Sequence, residues 1–127
     1  MIAKGGLSPS MGLHQKIVFE HVNLNLGNGY HSLHGLFIAP VPGLYMFSAS
    51  VMSATNQHLD LSLVKNGVIL ACPYAQSGSG TYDQGSVSVV SQLAIGDEIW
   101  IEERFDRHQG IYGDYYSSFM GFLIAPL

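Results

Sequence analysis

Potential chemistry is concentrated between Arg104 and Tyr116. The run Asp106-Arg107-His108-Gln109-Gly110-Ile111-Tyr112-Gly113-Asp114-Tyr115-Tyr116 packs two carboxylates, a guanidinium, an imidazole and three tyrosines into one stretch. Asp, Arg and Gln match the hydroxyls of a sugar, a tyrosine ring offers a flat apolar face with a polar tip, and Arg104 with Arg107 suits an acidic ligand through paired donors. Tyr82 and Asp83 form a second candidate in a Ser- and Gly-rich stretch. The competing reading is structural: tyrosine is enriched in subunit interfaces as well as in binding loops, and the same rings would then pack locally. Asp83, Asp106 and Asp114 supply the carboxylate oxygens that a hard cation such as calcium takes, although no EF-hand loop is present. Solvated turn carboxylates account for them equally well.

Catalysis needs a nucleophile with a base in reach, a working carboxylate pair or a metal cluster. The serines lack a nucleophile-elbow context, and Gly78-Ser79-Gly80 is too short a match to such a motif. Glu102 and Glu103 are adjacent, so an extended chain points them to opposite faces. His31 and His34 share a loop, whereas His14, His21, His58 and His108 have no recognised ligand spacing and read as surface residues. Cys72 is alone, which excludes an intrachain disulfide; it reads as a small buried hydrophobe, with an interchain disulfide or a reactive thiol as the alternatives. The expectation is a non-catalytic protein that requires no cofactor, with calcium as the candidate ion; a histidine site on a three-fold axis, one ligand from each chain, would escape any spacing rule and stays open.

The chain that must position these residues has 127 of them, enough for one domain with a real core. Apolar residues make up 47% and charged residues 11%, against roughly 25% charged in an ordinary soluble domain. A surface so poor in charge is covered by neutral polar residues, or partly buried against another copy. The net charge of −4 carries no run of either sign, which argues against nucleic acid as a partner. No apolar stretch reaches the roughly 18 residues of a spanning helix, and no leader pattern opens the chain.

Helical periodicity is scarce, and short alternations punctuated by turn residues dominate. Ile17 and Phe19 face one way and Val18 the other, Asn28-Gly29 marks a tight turn, and Leu36–Ala39 is a strand stopped by Pro40. Leu44–Ala54 is a strand with Tyr45, Phe47, Ala49 and Val51 on one core face. Leu59–Leu63 alternates strictly and reads as a half-buried strand, Asn66-Gly67 closes a type I′ hairpin, and Val68–Tyr74 returns beside it. Gln76–Gly85 is expected to be a loop, Glu98–Phe105 extended with Ile99 and Ile101 opposite Trp100, and Asp106–Tyr116 a loop. Ser117–Leu127 is apolar on both faces, with Phe119, Gly121 and Leu123 on one side and Met120, Phe122 and Ile124 on the other. Such a strand must be covered twice, which points to a second subunit. Tyr45, Phe47, Trp100, Phe119 and Phe122 are assigned to the core or to that interface.

The ordered series Phe19, Val22, Asn25, Gly27, Tyr30, Gly35, Phe37, Pro40, Gly43, Tyr45 and Phe47 resembles the opening of the complement C1q-like globular domain. Leu61, Leu63, Asn66, Gly67, Gly96, Asp97, Trp100, Ser118, Phe119, Gly121, Phe122 and Leu123 continue the match in order and spacing. Residues 1–16 depart from the usual version, with Lys4, Gly5 and Gly6 where aromatic and small apolar residues are typical, so they are read as a divergent edge strand and loop preceding a domain at 17–127. The resemblance implies an all-β jelly-roll sandwich of about ten antiparallel strands, similar to the tumour necrosis factor fold. It further implies a homotrimer, secretion with a signal peptide that is not part of this chain, and action by binding, with calcium in some members. No Gly-x-y repeat occurs, so multivalency is expected from the trimer alone. The expected function is innate immune recognition of carbohydrate or another microbial surface pattern; the alternative is a trimeric extracellular ligand for a protein receptor.

Overall fold

The computed structural model describes residues 13–105, 110–112 and 115–127. The expected edge strand within residues 1–12, and Asp106, Arg107, His108 and Asp114, lie outside them.

Ten strands are formed among the described residues: β1 (Tyr30–His31), β2 (Leu36–Ile38), β3 (Gly43–Ser53), β4 (His58–Lys65), β5 (Val68–Ala71), β6 (Tyr74–Gln76), β7 (Asp83–Leu93), β8 (Glu98–Glu103), β9 (Ile111–Tyr112) and β10 (Ser118–Pro126). One sheet runs β1-β2-β8-β4-β5 with β6 also on β4, and the other runs β10-β3-β7 with β9 also on β3. All pairings are antiparallel. The fold is therefore an all-β sandwich of jelly-roll type, its two apolar faces meeting in a single core.

β3 shows how the sequence produces that core. Its alternate residues Tyr45, Phe47, Ala49, Val51 and Ser53 are buried while their neighbours are half-buried, the signature of a pleat with one face inward. Phe47 stacks between Tyr45 and Phe119, with centroids 6.1 and 6.0 Å away, and takes the edge of Phe37 at 5.1 Å. Gly121 is the position that makes room, because it pairs with Phe47 and a Cβ there would stand 2.5 Å from the ring. Tyr45 donates its hydroxyl to the Val41 carbonyl at 2.7 Å, so the ring is buried with its polar tip satisfied.

Four expectations are corrected. β4 is not half-buried: Leu59, Leu61 and Leu63 face the core, but Asp60, Ser62 and Val64 are buried too. On that outward face Val64 pairs with Trp100, Ser62 with Glu102 and Asp60 with Tyr74, so neighbouring strands flank each of the three; Trp100, assigned to core or interface, is half-buried there. Val68–Tyr74 is not one strand but two, because Pro73 has no amide proton to give the ladder. The Gln76–Gly85 loop ends earlier, at Asp83, where β7 begins, and the Asp106–Tyr116 loop contains the short strand β9.

β10 carries the largest consequence for assembly. Phe119 is 1% exposed, but Met120, Phe122, Leu123 and Ile124 are 38–49% exposed. Phe122 is thus outside the core. Met120, Phe122 and Leu123, together with Leu24 and Leu26, border a groove of about 440 Å³ whose floor includes Phe37, Phe47 and Phe119.

Candidate functional site

The tyrosines of the two candidate loops meet at one end of the sandwich. Tyr82 directly precedes β7, Tyr112 lies on β9 and Tyr116 stands in the turn before β10. The Tyr82 and Tyr112 ring centroids are 5.4 Å apart at 62°, and those of Tyr112 and Tyr116 are 5.7 Å apart at 49°. Tyr112 is half-buried, while Tyr82 and Tyr116 expose about half their surface. These spacings fall in the range where tilted and edge-on aromatic pairs attract.

Strand register explains the meeting. Met52 of β3 pairs with Gln84 of β7 on one side and Tyr112 of β9 on the other, so all three share the outward face of this sheet. Polar bonds then pin the loop backbone. Gln84 Nε2 donates to the Tyr116 carbonyl at 2.6 Å and to Ser50 Oγ at 2.8 Å. Ser117, fully buried, donates to the Tyr112 carbonyl at 2.7 Å and accepts the Met52 amide at 3.0 Å. A ladder of serine pairs, Ser50 with Ser86 and Ser48 with Ser88, continues down the same face without a charged side chain.

The remaining candidates are placed apart from this cluster. Tyr115 is exposed, has φ 68° and sets its ring edge-on to His21. Arg104 stacks over Phe105 and comes within 4.0 Å of Asp60. Asp83 accepts the Gln76 amide on Oδ2 at 3.0 Å. One carboxylate with an oxygen already engaged does not make a calcium site, which takes six to eight oxygens. Asp106 and Asp114, its expected partners, lie outside the described residues.

Two other features were not anticipated from the sequence. Glu102 accepts the Trp100 indole at 2.8 Å and pairs with His14, while Lys16 lies 4.7 Å over the Trp100 ring. This outward patch ties the segment at 14–17 to β8 through bonds such as Ile17 N to the Ile101 carbonyl at 2.8 Å. Glu103 turns the other way, as its adjacency to Glu102 on an extended chain predicts, but its full burial was not expected. Neither was visible without knowing which strand neighbours β8. Cys72 is half-buried, its sulfur 4.0 Å from Ser62 Oγ. Among the described residues no helix is long and apolar enough to cross a membrane.

The C1q domain family model matches residues 5–124. Mouse complement C1q tumor necrosis factor-related protein 2 is 34% identical over 111 residues, 85% of this chain and 37% of that protein. Mouse collagen alpha-1(X) chain is 33% identical over 113 residues, 87% of this chain and 16% of that protein. The chain thus spans well under half the length of the curated relatives it matches. Among solved structures, the globular domain of zebrafish complement 1qA superposes with a TM-score of 0.82 at 23% identity, covering 99% of this chain and 96% of that one. Murine APRIL superposes with a TM-score of 0.60 at 16% identity, covering 98% and 100%. At those identities the two structures speak for the fold.

Proposed function

This chain belongs to the C1q domain family, and from that premise we propose that it is a secreted, non-catalytic recognition protein of innate immunity. It works as a homotrimer and binds carbohydrate or another microbial surface pattern through loop residues at one end of the sandwich. The observation that carries this reading is the convergence of Tyr82, Tyr112 and Tyr116 from two loops on a pinned backbone. Trimerisation is supported by the exposed apolar surface of β10, since contiguous patches of this kind mark interfaces. Three weak sites on one particle gain avidity against a repeated surface.

A glycan and microbial-polysaccharide array, probed with protein of verified oligomeric state in calcium and again in chelator, tests the reading. Binding to a defined saccharide class is expected, and the chelator arm assigns any role of calcium. A blank array from an intact oligomer would end it.

The second reading, a trimeric ligand for a protein receptor, draws on exposed Val68 and Ile69 at the edge strand β5, apolar side chains on the other sheet from β7 and β9. Capture of one receptor, lost on Ile69→Ser and retained on Tyr116→Ala, would favour it.

A further inference from the structure

We infer that the segment at 14–17 is a pH-sensitive strap, fastened to β8 through the His14 imidazole and the Glu102 carboxylate and held more firmly once His14 is protonated. Backbone bonds lay the strap along the strand. His14 N donates to the Glu103 carbonyl at 3.0 Å, Glu103 N to the Gln15 carbonyl at 2.9 Å and Ile17 N to the Ile101 carbonyl at 2.8 Å. Lys16 and Glu102 pair between them as an isolated antiparallel bridge. Ile17 anchors one end in the core, whereas the His14 side chain at the other end is 70% exposed. Side chains therefore decide how firmly that outer end is held.

Glu102 is the catch. Its side chain is 10% exposed, its Oε1 accepts the Trp100 indole N–H at 2.8 Å, and its Oε2 faces His14 Nδ1. The indole fixes one carboxylate oxygen, which aims the other at the strap in advance. Lys16, 4.7 Å over the Trp100 ring, is a second tie whose charge does not change near neutral pH. Among the described residues, the other charged and titratable groups around the pair come from four places. Arg104 follows on β8, 4.0 Å from Asp60 of β4; Cys72 lies beside Ser62, the residue that pairs with Glu102; Tyr74 of β6 pairs with Asp60; and His58 of β4 sets its ring edge-on to Tyr74 at 5.0 Å. Carboxylates, lysine, arginine and tyrosine ordinarily keep one charge state between about pH 5 and 8, and a thiol ionises above that range. The change of sign in this window thus belongs to imidazole, and His14 is the imidazole that meets Glu102. Below about pH 4 the carboxylate is neutralised in its turn and the catch opens again. Because His14 is largely in solvent, the pair should shift the opening equilibrium of the strap only about two- to fivefold.

Trp100 is the single tryptophan of the chain, so its fluorescence reports on this patch alone. The test titrates the intact protein at low salt from about pH 8 to 5, the range in which imidazole changes charge, and follows Trp100 emission. Hydrogen exchange, corrected for intrinsic rates, reads the His14, Ile17 and Glu103 amides at both ends of the range, with the amides of β3 as the reference for global opening. Emission should pass through one transition near the ordinary histidine value of about 6.5. Protection of the three amides relative to β3 should be roughly two- to fivefold higher at the acidic end, and molar salt should shrink the gain. His14→Gln keeps a hydrogen-bonding side chain without a titrating charge and should abolish both effects. Glu102→Gln should do the same, whereas His58→Gln should leave both in place. A flat emission curve, a transition that survives His14→Gln, or equal relative protection at the two ends refutes the strap. If Glu102→Gln does not fold, His14→Gln, a change at an exposed side chain, decides the matter alone.

Discussion

Phe119 and Phe122 lie three residues apart on β10 and face opposite ways, so truncating each to alanine separates the core from the interface. Phe119 is 1% exposed and packs against Phe19, Tyr30 and Phe47 at centroid distances of 5.9, 6.4 and 6.0 Å. Phe119→Ala removes that transfer energy and leaves a cavity among rigid rings, at a cost of about 3–5 kcal/mol. For a domain of this size the melting temperature should fall by roughly 10–20 °C. Phe122 is 47% exposed and shares the outward face of Met46. Covering its remaining surface in a trimer would contribute about 2 kcal/mol per subunit, from roughly 80–100 Å² at 25 cal/mol/Å². Phe122→Ala should therefore weaken assembly by about 30-fold or more in association constant while leaving the isolated fold nearly unchanged. Sedimentation velocity over a concentration series and thermal unfolding at high and low protein concentration read the two effects separately. A Phe119→Ala protein that loses less than about 1 kcal/mol would refute the packing argument. A Phe122→Ala protein with unaltered sedimentation across the series would refute the placement of the interface on β10.

Further outcomes follow from single positions. Burial raises the Tyr30 phenol above its ordinary value, against a smaller opposing effect of the Phe19 amide that its oxygen accepts at 3.0 Å. The folded state then holds its proton more tightly than the unfolded state, so this contribution is complete below about pH 10 and is lost as pH rises beyond it. Tyr30→Phe should flatten the alkaline limb of a stability profile and cost roughly 1–3 kcal/mol at neutral pH by orphaning the Phe19 amide. Asp97 is held below the ordinary carboxylate range by the Ala94 amide and then by the Asn66 side chain. Its contribution is present above the unfolded value and fades as pH drops, so Asp97→Ala should reduce the acid sensitivity of unfolding measured between pH 5 and 2. Gly85→Ala would drive a methyl group into the Tyr74 carbonyl where β7 passes β6, and should destabilise by about 1–3 kcal/mol or more in denaturant unfolding. Gly80→Ala, which has φ +70° but open space around it, should cost less, about 1 kcal/mol.

Local chemistry was readable wherever it was decided locally. The alternation from Tyr45 to Val51 specified a face because the side-chain period of a strand is two, and the burial of β3 follows it residue by residue. Asn66 and Gly67, with φ 49° and 87°, take the left-handed conformations that their types tolerate best. The doubled hydrophobicity of β10 and the ordered family residues were likewise plain in one dimension. What the sequence could not supply was adjacency across strands. The tyrosines at 82, 112 and 116 become one cluster only because β7 and β9 flank Met52 of β3. Ser62 is buried where it pairs with Glu102 of β8, and Asp60 where it pairs with Tyr74 of β6 beside Arg104. Periodicity reports which way a side chain points, whereas what lies on the other side is set by long-range pairing, and that is a property of the tertiary structure alone.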